Sequence, residues 1–163
     1  MTRKRSSYRP KPVNFQAHSM VTERVTPIRD NTRVMTALQV KNHLALTRIC
    51  SGQGDNEDAK ALIYALNIAV ALPLVAPRLG EDWLPEVKQA LGYICDMVER
   101  SKKLEGRFVF KAEELAAINL AMDVHDTQLA ACYGIEMEGA VNFVHKALKL
   151  EAMKELELGG KHG

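Results

Sequence analysis

The dipeptide His125-Asp126, with His43 far upstream, is the closest thing in this chain to a catalytic or metal-binding set. An imidazole beside a carboxylate supplies a nitrogen and an oxygen ligand to a divalent metal, and a second imidazole supplies a third. A hydrolytic centre of this kind also needs a later aspartate, and no Asp follows Asp126. The set is therefore incomplete. His125 also falls on a seam formed by Leu115, Ile118, Met122, Leu129 and Cys132, whose steps of three and four mark a helix face packed on other helices. An imidazole there is expected to be a hydrogen-bonded core residue, and Asp126 a structural neighbour.

Other chemistries fail on spacing. A ferritin-like di-iron site places Glu-x-x-His on two helices. None of His18, His43, His125, His145 and His162 has a Glu three residues before it. Ser51-Gly52-Gln53-Gly54 lacks the Gly-Lys-Ser/Thr ending of a phosphate loop and reads as a turn. No Gly-x-Ser-x-Gly elbow occurs. Cys50, Cys95 and Cys132 form no CxxC or Cys/His ligand pair and are expected to be small buried thiols of a reduced chain. Neither a metal nor a cofactor is expected. The enzymatic alternative is a metal-dependent phosphohydrolase of the HD type, built on His43, His125 and Asp126.

Charge carries the functional content. Residues 1–50 hold ten Lys and Arg against Glu23 and Asp30, a net of +8, while the remainder holds twelve against eighteen, a net of −6. Arg3, Lys4, Arg5, Arg9 and Lys11 fall in eleven residues with no acid among them. A cationic segment ahead of a mildly acidic body is suited to an anionic partner. Its cations would follow phosphates or enter a minor groove, Tyr8 would stack on a base, and Arg24, Arg29 and Arg33 (with Lys41) would extend the strip onto the first helix. An acidic protein surface is the other partner of matching charge.

The elements that must carry these residues are helical. The chain has 163 residues, 47% of them apolar and 6% aromatic, rich in Ala, Leu, Val and Met, which is enough for one domain with its own core. The opening MTRKRSSYRPKPVNF has charge but no apolar stretch, which argues against a secretion signal. Pro10 and Pro12 predict an extended or disordered basic arm over 1–26. A bundle of about five helices follows over 27–158, and 159–163 is a flexible end.

The first helix is expected from about Asp30 to Cys50, with Val40 and Leu44 opposite its main apolar face. The second, opened by Asp55-Asn56-Glu57-Asp58, is apolar all round from Ala61 to Ala76. It is too short for a membrane span, is interrupted by Pro73, and is expected at the centre of the bundle, with a partner required for Asn67. Asp82 is placed to cap the third helix, whose stripe starts at Trp83 and which reaches about Lys103. The fourth runs from about Ala112 to Cys132 with Gly134 ending it. The fifth runs from about Glu136 to Leu158 and is expected to bury Met137, Val141, Val144 and Leu148, with Phe143 and Leu150 beside them.

Several segments of this pattern carry a resemblance: Lys41-Asn42-His43-Leu44-Ala45-Leu46, Ala65-Leu66-Asn67, Gly106-Arg107-Phe108-Val109, Glu113 to Asn119, and His125 to Leu129, with the opening Tyr8 to Val13. The chain resembles small proteins of proteobacterial prophages and plasmids. That resemblance implies a mobile-element accessory protein, in the cytoplasm of a bacterial host or in a virion, and supplies no active site. The expectation is an all-α, non-enzymatic binding protein that self-associates, does not enter membranes, and engages nucleic acid or an acidic host protein. A virion assembly component contacting packaged DNA is the alternative within the same class.

Overall fold

The structure is a computed structural model that describes residues 26–28 and 32–159, with side chains at 26–28 and 35–151. It is all-α. Helix α1 spans Thr32–Cys50, α2 Asn56–Val75, α3 Leu84–Lys103, α4 Ala112–Ala131 and α5 Gly134–Gly159. Two single 3-10 turns, Pro77–Leu79 and Glu81–Trp83, connect α2 to α3.

Helix α2 is the axis of the bundle and packs against each of the other four helices. Contrary to the expectation from its apolar run alone, the whole helix is long and apolar enough to cross a membrane by length and composition, yet more than half of that stretch is buried inside the protein. Leu62, Leu66 and Leu72 have no exposed surface, each worth about 1.5–3 kcal/mol on burial. Asp55 caps the helix, accepting from the Glu57 and Asp58 N–H groups, while Asp58 accepts in return from the Asp55 N–H. The backbone at Gly54 passes so close to Ile49 that a Cβ there would lie 2.7 Å from the Ile49 Cα, so the turn requires glycine.

Several sequence expectations are corrected here. Pro73 does not interrupt α2, which continues to Val75. It sits near the C-terminal end, where few backbone bonds remain to be broken. Asp82 does not cap α3. Glu81–Trp83 is a separate 3-10 turn and Trp83 occupies the cap position without a side-chain bond. Gly134 opens α5 and does not close α4, because Tyr133 is the only residue between the Cys132 cap and the next helix. Asn67 is only half-buried, so water can serve it. Thr26–Ile28 lies along Cys132–Gly134.

The seam of α4 is buried as its periodicity predicts, with Ile118, Met122, His125, Leu129 and Cys132 all inaccessible or nearly so. Helix α5 departs from expectation. Among its described side chains burial ends at Val144, and Phe143, Leu148 and Leu150 are 49%, 46% and 54% exposed. The cause is coverage: α5 packs substantially on α2 alone, so a single stripe of it is shielded. Val40 and Leu44 on α1 are likewise uncovered, at 58% and 55%.

Candidate functional site

Of the binding residues singled out from sequence, Arg3, Lys4, Arg5, Tyr8, Arg9, Lys11, Arg24 and Arg29 lie outside the described residues. Arg33 is in the first turn of α1, and its side chain is also outside them. The described chain starts where Thr26–Ile28 meets the α4–α5 junction. There the Ile28 N–H donates to the Cys132 carbonyl at 2.9 Å and the Gly134 N–H to the Thr26 carbonyl at 3.3 Å. Lys41 is exposed, but Arg48 donates to Asp58 at 2.9 Å and to Asp55 at 3.3 Å, so its charge is spent on the start of α2.

The fold brings His43 and Asp126 together across 83 residues. His43 Nε2 lies 2.7 Å from Asp126 Oδ2, tying α1 to α4. One residue away on each helix, Asn42 Nδ2 lies 3.4 Å from His125 Nε2. The adjacency follows from the two helices crossing face to face, since 42–43 meets 125–126 in register. His125 is 3% exposed. Burial pushes its imidazole down to about 4, helped by His43 and opposed by Asp126, so the ring is neutral at physiological pH. The two imidazoles thus meet an amide and a carboxylate, Asn42 and Asp126. No three or more His, Cys, Asp and Glu side chains among the described residues stand close enough to hold a metal ion. The cluster reads as a polar tie between helices, buried at Asn42 and His125 and partly exposed at His43 and Asp126, with His125 Nδ1 and Asp126 Oδ1 unpartnered among the described residues.

Sequence reasoning missed a groove of about 400 Å³ between the Arg78–Gly80 turn and α4. Gly80, in the left-handed conformation at φ 101°, reverses the chain so that Leu79 turns inward and Trp83 outward. Gln128, buried on α4, reaches into the turn. Its Nε2 donates to the Ala69 carbonyl at 3.0 Å and to the Leu79 carbonyl at 2.8 Å. The Ala69 carbonyl needs this donor because Pro73, four residues on, has no N–H to offer it. Arg78 closes one end. Its Nη2 donates to both Glu136 oxygens at 2.7 Å, and its guanidinium lies 5.3 Å from the Tyr133 ring centroid. A proline inside an apolar helix and a tryptophan beside a glycine turn were the available sequence signals; neither names a groove.

The cysteines also differ from expectation. Only Cys132 is buried, and Cys50 and Cys95 are exposed, because they fall on the outer faces of α1 and α3. Burial raises the Cys132 thiol to about 11, and the other two are also raised, chiefly by partial burial, so none is primed as a nucleophile. No protein-family model, curated protein or solved structure matches this chain.

Proposed function

We propose that the protein acts by binding, as a phage- or plasmid-type accessory protein whose basic leading segment engages nucleic acid in the bacterial cytoplasm or in a virion. The observation that carries this reading is the division of charge, +8 over residues 1–50 against −6 over the rest. The 2.7 Å contact between His43 and Asp126 Oδ2 weighs on the same side, since a histidine already paired is a poor candidate ligand for the HD-type alternative. The acidic body repels phosphates, so the basic segment supplies the attraction and the bundle supplies its carrier.

Deleting residues 1–12 is the test. Nucleic-acid affinity is expected to fall by most of its value while helicity and Tm stay unchanged. With about five phosphates neutralised, log Kobs against log salt on duplex DNA should have a slope of about −4 to −5, a weakening of several hundred-fold between about 50 and 200 mM salt. Sequence preference should be slight, because phosphate contacts carry no base information. Absence of binding at low salt, or binding that survives the deletion, would overturn the reading in favour of an acidic body that docks on protein.

The bundle is further proposed to self-associate. Val40 and Leu44 on α1 and Phe143, Leu148 and Leu150 on α5 are each about half exposed, an apolar surplus that a second copy would cover. Light scattering at tens of micromolar should report a dimer or larger, and Leu44→Lys with Leu148→Lys should return it to monomer. A monomeric parent protein would end this part of the proposal.

A further inference from the structure

We propose that the groove between the Arg78–Gly80 turn, Trp83 and α4 binds a small organic cation with an apolar body, of the aryl-alkylamine class. The argument begins at Gln128, which is 3% exposed. Both hydrogens of its amide are committed to carbonyl oxygens of Ala69 and Leu79. Turning the amide over would set Oε1 against those two oxygens, so its orientation is fixed. Oε1 is then a buried acceptor with no partner among the described residues, and Gln128 lines the groove. A buried acceptor left unpaired is costly, and the group that relieves it must carry an N–H or O–H.

The other polar groups at the groove select the charge of that donor. Arg78 is neutralised by Glu136 and makes a further bond to the Ala131 carbonyl at 3.3 Å. The Thr127 hydroxyl donates to the Asp123 carbonyl at 2.9 Å, leaving only its lone pairs. The Asp123 carboxylate is exposed and makes no ion pair among the described residues, and Glu81 and Asp82 stand exposed and likewise unpaired on the adjoining turn. Of the residues lining the groove, Asp123 is thus the one free negative charge, with Glu81 and Asp82 on the adjoining turn, and among the described residues no unpaired cation lines it.

The walls select the body. Leu79, Leu120, Val124 and Ala131 line the apolar side, and Trp83 is 46% exposed, with indole surface available to a ring or a cation. The volume, about 400 Å³, is in the range of small-ligand sites. A protonated amine on a short chain from an aromatic ring meets each of these features. A small shift of the Gln128 side chain, whose Oε1 is closed to solvent in the free protein, lets the ammonium donate to both Asp123 and Oε1, and the ring packs between Leu120 and Trp83.

Trp83 is the only tryptophan in the chain, so its fluorescence reports the groove directly. The full-length protein is titrated with phenethylamine, with its neutral analogue 2-phenylethanol, and with its anionic analogue phenylacetate. A saturable change with phenethylamine is expected, with Kd of about 1 mM or tighter for about nine non-hydrogen atoms. The alcohol and the acid should bind at least about tenfold more weakly. Asp123→Asn and Leu120→Arg alter exposed side chains, so both should fold, and both should lose at least about tenfold in phenethylamine affinity. Gln128→Met should lose binding as well, with its helicity checked by circular dichroism because two carbonyls lose their donor. No saturable response to phenethylamine, equal binding of the acid, or unchanged affinity in Asp123→Asn would each overturn the proposal. Deletion of residues 1–12 should leave this titration unchanged, which separates it from nucleic-acid binding.

Discussion

Replacing Arg100 with alanine is expected to destabilise the fold by about 3–5 kcal/mol, the usual consequence of stranding one half of a buried ion pair. Glu114 is 2% exposed and sits in the first turn of α4. Arg100 grips it with two bonds, Nη1 to Oε1 at 2.9 Å and Nη2 to Oε2 at 2.6 Å. The Lys111 N–H adds a third at 2.8 Å. Burial works against the carboxylate, but the bonds from Arg100 and Lys111, with the charges of both, outweigh it and hold its pKa below the ordinary value. Arg100 also donates to the Val109 carbonyl at 2.9 Å, so one guanidinium fastens α3 to both the linker and α4. In alanine's place burial prevails, and Glu114 must take up a proton or pull the linker open to water. For a chain of this size the loss corresponds to a Tm lower by about 6–20 °C. Arg100→Lys should recover only part, since an ammonium cannot reproduce the fork. Adding Glu114→Gln to the alanine variant should restore some stability. A loss below about 1 kcal/mol would show that water screens the pair.

Stability should also fall as pH is lowered from about 6.5 toward 4, by about 3 kcal/mol in total. The cause is His125. In the unfolded chain its imidazole protonates near 6.5, whereas in the fold burial delays protonation to about 4. Between those values the unfolded state holds one proton more, so each pH unit of acidification weakens the fold by about 1.4 kcal/mol. The stabilisation is fully present above the unfolded value and is lost downward. Glu114 and Asp55 have folded pKa values lowered from 4.5 and 3.8, so their contributions disappear only at more acidic pH. Among the described groups whose pKa is shifted, His125 is therefore the one that responds between about pH 6.5 and 5. Denaturant midpoints across that interval should slope in the native chain and flatten in His125→Leu. A flat native profile would sink the assignment.

The sequence was informative where structure depends on neighbours three or four residues apart. The seam through Ile118, Met122, His125 and Leu129 follows from helical spacing alone, and each of these residues is buried as that spacing predicts. The central place of α2 follows equally from composition, because a helix apolar all round must be covered on every side. The burial of His125 was legible for the same reason.

Which apolar faces find a cover was not legible. Leu148 continues the stripe of Met137, Val141 and Val144, yet it is exposed because only α2 packs substantially on α5. Trp83 begins the apolar pattern of α3 and nevertheless faces water, because Gly80 turns the chain at φ 101° and a 3-10 turn displaces it from the helix proper. Pro73 was read as a break because local rules count its missing N–H as a loss. Gln128, distant in sequence, supplies the Ala69 carbonyl with a donor instead.

By itself the sequence determined the five helices, the central α2, the seam of α4 and the segregation of positive charge at the front of the chain, since each depends on spacing or composition. Only the tertiary structure decided the meeting of His43 with Asp126, the clasp of Arg100 on Glu114 and the groove around Gln128. Those contacts join elements 14 to 83 residues apart. Their geometry is set by helix crossings and turn angles, which no periodicity along a single helix encodes.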